Sequence, residues 1–153
     1  MRIAIMGRSQ IEKMTFEPKT ALISITDAEW EFAKLKNKPD YLLRLAFDDV
    51  DADVFEDELG RKPTEEERLR IEEKYNIISD AQAKEIAEFY FEISEKADII
   101  ICQCEHGQSR SAAIAAAITE YREKNGITIF ASDDYYPNKL VFRKVYNELN
   151  CKK

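Results

Sequence analysis

Ala97-Asp-Ile-Ile-Ile-Cys102, Gln103-Cys-Glu-His-Gly-Gln-Ser109 and Arg110-Ser-Ala-Ala-Ile-Ala-Ala-Ala-Ile118 follow one another without a break, and they set the class of fold. The first piece is a short apolar run rich in isoleucine, the pattern of a central strand covered on both faces. The second is polar and carries a glycine, as a loop does. The third is alanine-rich and is predicted to continue as a helix to Lys124, with Asn125-Gly126 as its stop signal. A strand that runs through a short polar loop into a helix N-terminus makes a site for an anion. The first amides of a helix lack partners within it, and the helix dipole favours negative charge there.

Outward from this segment the same alternation recurs. Arg2–Met6 reads as a buried strand, punctuated by Gly7-Arg-Ser-Gln10 and followed by a short helix. Thr20–Ile25 and Tyr41–Phe47 are further apolar, β-favouring runs. Asp48 to Gly60 is strongly acidic and reads as a solvated loop. Thr64 and Glu67 stand in capping-box spacing and open a helix to about Tyr75. Ser79 and Gln82 repeat the box and open a longer amphipathic helix through Ala83, Ile86, Ala87, Tyr90 and Ile93. A last helix is predicted over Asn138–Asn150. Strands alternating with helices predict a single α/β domain spanning 1–153, with a central, mainly parallel sheet flanked by helices.

Composition narrows the function. The 153 residues carry a net charge of −7, which argues against a nucleic-acid partner, whose phosphates call for a basic surface. No apolar run approaches the roughly 20 residues needed to span a bilayer, and the short apolar start lacks the pattern of a secretory signal. A soluble, cytoplasmic protein is expected. The three cysteines, Cys102, Cys104 and Cys151, are an odd number and do not suggest a disulfide framework. With one histidine they also fall short of a four-ligand zinc site, so no metal is expected.

The chemistry is concentrated in Cys104-Glu-His-Gly-Gln-Ser-Arg110 and the following Ser111. A helix N-terminus favours the thiolate of a cysteine, the form that attacks. Arg110 can offer two parallel donors to two phosphate oxygens, which lysine cannot match. A thiolate below phosphorus, with backbone amides and a guanidinium around the equatorial oxygens, stabilises the transition state of phosphoryl transfer. Gly107 permits backbone angles that other residues resist. The alanines after Arg110 let the helix lie close to the sheet.

These residues resemble the signature loop of the protein tyrosine phosphatase superfamily, in which five residues separate cysteine from arginine. The similarity is to the dual-specificity-like or small prokaryotic members. Pro137-Asn138 resembles the element that braces the loop in dual-specificity phosphatases. Phe47-Asp48-Asp49 resembles the place of the general acid. The resemblance implies a phosphatase fold and phosphomonoester hydrolysis through a phosphocysteine, without a metal or organic cofactor. It implies Cys104 as nucleophile, Arg110 as clamp, Ser111 as a hydroxyl that stabilises the departing thiolate, and Asp49 as general acid, ahead of Asp48 and of Asp51, which reads as solvated. Glu105, His106, Gly107, Gln108, Ser109 and Arg110 would surround the phosphate of a phosphorylated protein or a small phosphomonoester. Two departures stand out: Gln103 takes the position before the nucleophile, often histidine in the family, and an insertion over Asp57–Ile77 separates the acid from the loop.

Several residues have plainer readings. His106 either touches substrate or thiolate or points to solvent. Cys102 reads as a buried strand residue, Phe89, Tyr90 and Phe91 as core, and Tyr135-Tyr136 as surface packing. Two other functions fit the same loop: a phosphate-binding module without turnover, and an arsenate reductase-like thiol enzyme that would recruit Cys102 or Cys151 as resolving thiol.

Overall fold

In the computed structural model, which describes residues 1–151, four strands form one sheet: β1 (Arg2–Gly7), β2 (Thr20–Thr26), β3 (Tyr41–Ala46) and β4 (Ile99–Cys104). All pairings are parallel, in the order β1-β4-β2-β3. The expected α/β class with a parallel sheet is therefore observed. Seven helices accompany it: α1 (Arg8–Lys13), α2 (Asp53–Leu59), α3 (Glu65–Lys74), α4 (Asp80–Ile93), α5 (Arg110–Glu123), α6 (Ile127–Ala131) and α7 (Lys139–Cys151).

Alternation along the strands sorts the core into two unequal layers. Ala21, Ile23 and Ile25 of β2 and Ile100, Cys102 and Cys104 of β4 face the larger one, which they share with buried residues of α4, α5 and α7. Leu22 and Ile101 face the smaller one, with Ile11 of α1, Phe16 and Ala33. Helix α5 is buried from Arg110 to Ile118, and five of its buried residues are alanines, so its backbone lies near the sheet. Both capping boxes form: Thr64 with Glu67 at α3, and Ser79 with Gln82 at α4.

Three expectations need correction. Strand β4 starts and ends two residues later than the apolar run indicates. Its ladder extends to Gly7↔Cys104 and Ser24↔Gln103, and the Ser24 hydroxyl donates to the Gln103 side chain, which lets a buried glutamine continue the strand. The acidic stretch after Asp48 is not all loop. Val54 and Phe55 pack against the main core and support α2, which Gly60 ends at φ 67°. Asn125-Gly126 is not the stop of α5 either: Lys124 takes the left-handed position at φ 56°. Gly126 begins α6 instead, where a Cβ would lie 2.6 Å from the Ala116 carbonyl oxygen, so this glycine serves close helix packing.

The Asp57–Ile77 insertion docks through charge. Arg68 of α3 pairs with Glu65 (2.6 Å), Glu72 (2.7 Å) and Asp80 (3.1 Å), and Lys144 of α7 reaches Glu72 (2.7 Å) and Asp80 (3.0 Å). The hydrogen bond from Arg68 is the main cause holding the Asp80 carboxyl below its ordinary range. Glu67 is held at about 2, chiefly by its hydrogen bond from Arg61. A carboxyl whose folded pKa is depressed contributes stability above its unfolded pKa, and that contribution is lost as pH falls through the folded value. Stability should therefore decline from about pH 4.5 towards pH 2, the interval spanned by Glu67. Urea midpoints measured across that range test this, and a flat midpoint would contradict it.

Candidate active site

The parallel register places the carboxyl ends of all four strands along one edge, the position where open α/β sheets bind ligands. The residues that follow each strand gather there: Arg8 after β1, Asp27 after β2, Phe47-Asp48-Asp49 after β3 and Glu105 to Ser109 after β4. Strand β4 lies between β1 and β2, so its loop is gripped from both sides.

Cys104, the last residue of β4, is buried, and its Sγ lies 3.1 Å from Oγ of Ser111 in the first turn of α5. The loop between them is braced through its carbonyls. Glu105 O accepts from Arg8 N–H (3.0 Å), Gln108 O from Tyr136 N–H (2.8 Å), and Ser109 O from Asn138 N–H (3.2 Å). Gly107 sits at φ 70°, and a Cβ on it would come within 2.5 Å of the Gly7 nitrogen and 2.6 Å of the Met6 carbonyl carbon. Here glycine is required twice over, by conformation and by the backbone of β1.

Arg110 is 4% exposed. Its Nη1 donates to the Phe47 carbonyl (2.7 Å) and pairs with Asp27 Oδ1 (2.7 Å). Its Nε is buried without a hydrogen-bond partner among the described residues. The guanidinium is thus anchored by one corner, and a donor beyond that corner has nothing to bond. Such an orphan is costly unless a ligand supplies the acceptor.

The three competing aspartates separate by their contacts. Asp49 Oδ1 accepts from Ser109 Oγ (2.8 Å) and Asn138 Nδ2 (2.9 Å). It lines a pocket of about 270 Å³ together with Cys104, His106, Gln108, Ser109, Arg110 and Tyr136. Asp48 does not line that pocket. Its Oδ1 accepts from Ala28 N–H (2.8 Å), which ties down the turn after β2. Asp51 is not merely solvated: its carboxylate accepts from the N–H groups of Lys139 (3.0 Å) and Leu140 (3.1 Å) and caps α7. Asn138 also caps that helix, accepting from Val141 N–H at 3.0 Å.

No protein-family profile and no curated protein sequence matches the chain. Solved structures do. The chain is similar to PTPMT1, with a TM-score of 0.53 at 16% identity, over 99% of this chain and 93% of that one. A second PTPMT1 structure, in complex with PI(5)P, gives a TM-score of 0.52 at 15% identity, covering 97% and 90%. The chain therefore shares the fold of these PTPMT1 structures.

Of the residues singled out from sequence, Cys104, His106, Gln108, Ser109, Arg110 and Asp49 line one pocket, with Ser111 beside the sulfur. Glu105 and His106 border a second, larger cleft that shares Asp49 and Arg110. Cys102 is fully buried, and burial, with the neighbouring Cys104 charge, pushes its thiol up. Four further residues contribute that their sequence context did not mark. Asp27 anchors Arg110. Arg8 holds Glu105 through its Nε (2.8 Å) and Thr26 through its Nη2 (2.9 Å). Tyr136, 71% exposed, stands at the mouth of the pocket, and Trp30 stands beside the cleft. The strand-end position of Asp27, directly after a buried run, was the one available signal.

Two structural consequences follow for the loop. Gly107→Ala should cost about 1–3 kcal/mol from the left-handed backbone alone, with the clash against Gly7 added. Asp51→Ala should cost about 1 kcal/mol through the lost cap. Urea unfolding measures both, and a Gly107→Ala protein as stable as the parent would refute the account of the loop.

Proposed function

We propose that the chain is a phosphomonoester hydrolase of the protein tyrosine or dual-specificity type, acting through a phosphocysteine on Cys104. The observation that carries this is the pairing of a Cys104–Ser111 contact of 3.1 Å with a buried arginine whose Nε has no partner, at one helix N-terminus. With three loop carbonyls engaged by surrounding elements, the loop N–H groups are the donors left for an oxyanion over the sulfur.

The Cys104 thiolate attacks phosphorus as the P–O bond to the ester oxygen breaks. The departing oxygen takes a proton from the Asp49 carboxyl, and the products of this step are the alcohol and the phosphocysteine. Asp49, now ionised, accepts a proton from water as that water's oxygen attacks phosphorus. The S–P bond breaks and inorganic phosphate leaves. Ser111 donates a hydrogen bond to the restored thiolate. Ser109 and Asn138 hold one Asp49 oxygen and leave the other for the substrate. No step calls for a metal. PTPMT1, solved with PI(5)P, supports a phosphomonoester as the substrate class.

The arsenate-reductase alternative has little support. Cys102 lies on the same strand as Cys104 and is buried. Cys151 is exposed at the far end of α7 from Asn138, and about thirteen helical rises of 1.5 Å separate the two ends by roughly 20 Å. A binding module that lacks turnover would have no use for a cysteine and an acid facing one pocket.

Hydrolysis of p-nitrophenyl phosphate tests the proposal. Cys104→Ser should abolish turnover and keep vanadate or phosphate binding, since Arg110 and the amides remain. EDTA should leave the rate unchanged. Asp49→Asn should lower kcat by about 10²–10⁴-fold for esters with basic leaving groups, and by much less for very acidic leaving groups. Retained activity in Cys104→Ser, or a leaving-group dependence that appears in Asp48→Asn and not in Asp49→Asn, would overturn the corresponding assignment.

A further inference from the structure

The phosphate pocket opens into a cleft of about 600 Å³ whose wall carries Asp27, Glu29, Asp48, Asp49 and Glu105. Among the described residues lining pocket and cleft, Arg110 is the sole lysine or arginine. Four of the carboxylates are committed: Asp27 to Arg110, Asp48 to the Ala28 amide, Asp49 to Ser109 and Asn138, and Glu105 to Arg8. Glu29 is exposed and has no ion-pair partner among the described residues.

Next to it stands Trp30, 57% exposed. It also borders a second groove, of about 340 Å³, shared with Arg8, Glu31 and Glu105. The turn that presents these residues is held firmly. Trp30 N–H donates to Asp27 O (3.1 Å), Asp48 holds the Ala28 amide (2.8 Å), and Glu31 O accepts from Arg8 Nη2 (2.6 Å). Trp30 shares the cleft with Glu29 and the groove with Glu31, and an exposed indole near carboxylates attracts cations through its quadrupole and through their charge.

This wall restricts what can be joined to the phosphate. The buried, unpartnered Nε of Arg110 marks where one phosphate is received. In the pocket and cleft a second phosphate, or an acidic residue beside the first, meets further carboxylates and no further lysine or arginine, and Arg8 of the adjoining groove is already paired with Glu105. An anionic lipid surface is also repelled by a protein of net charge −7. We propose that the Asp27–Glu31 turn selects phosphopeptides in which lysine or arginine flanks the phosphorylated residue. The phosphate enters over Cys104, and the flanking cation lies against Trp30 between Glu29 and Glu31. The two grooves on either side of Trp30 give an extended chain room to continue past the phosphorylated residue. This selectivity rests on the phosphatase reading above, and it assigns to that site a substrate class and the residues that discriminate.

The test compares kcat/KM at low salt for three phosphotyrosine peptides of one length, with basic, neutral or acidic flanks, alongside p-nitrophenyl phosphate and vesicles containing phosphatidylinositol 5-phosphate. The basic peptide should exceed the acidic one by on the order of tenfold, mainly through KM, and salt should narrow the gap. The Glu29→Gln, Glu31→Gln double variant should remove most of the preference and leave p-nitrophenyl phosphate turnover unchanged. Trp30→Ala should weaken the basic peptide alone. If p-nitrophenyl phosphate is hydrolysed while the flanks make no difference, or while the vesicles are preferred, the selectivity is overturned and the phosphatase reading stands. If wild-type protein does not hydrolyse p-nitrophenyl phosphate, both fail.

Discussion

A guanidinium buried at the start of a helix is opposed twice, by desolvation and by the positive end of the helix dipole. Arg110 occupies that position at 4% exposure, so its neighbours must offset both costs. Asp27 supplies a carboxylate and Phe47 a carbonyl, both to Nη1. Nε has no hydrogen-bond partner among the described residues. That donor is free to bond an acceptor that enters the pocket Arg110 lines. A phosphate dianion answers all three conditions at once: it opposes the charge, it matches the helix dipole, and it bonds the orphan.

The sheet determines who can take part. Because β4 lies between β1 and β2 in parallel register, the residues just beyond three strands converge on one loop. Gly7 and Gly107 meet backbone to backbone, and this contact sets how far the loop can settle towards β1. On the opposite side, Asn138 bonds Ser109, Asp49 and Val50 together, so the N-terminus of α7 and the β3 edge close around the same loop. The rigidity needed to present several amides to one anion comes from these long-range bonds, since the loop itself is only five residues between strand and helix.

What could be foreseen from sequence follows from the range of the interactions. The strand–loop–helix of Cys104 to Ser111 and the boxes at Thr64 and Ser79 are local, and local patterns are written in neighbouring residues. Asp27, Arg8 and Asp51 act on partners far along the chain, at Arg110, Glu105 and α7, and nothing adjacent to them announces it. The same holds for α2. An acidic run reads as solvated until Val54 and Phe55 find a core assembled from distant segments. Tyr136 resembled surface packing because exposure alone cannot tell a plain surface from the rim of a pocket. Neighbouring residues do not announce that Asp49 lines the pocket with Cys104 while Asp48 holds the Ala28 amide, because both placements depend on partners far along the chain.

The central claim is that phosphorus is transferred to the sulfur of Cys104. The most direct measurement is acid quench of an Asp49→Asn variant during turnover of p-nitrophenyl phosphate, followed by peptide mass spectrometry. Slowed attack by water in that variant should let the phosphoenzyme accumulate, and the peptide containing Cys104 should carry the mass of one phosphoryl group. Continued turnover with the phosphoryl group on another residue, or with no covalent adduct under any quench, would contradict the account.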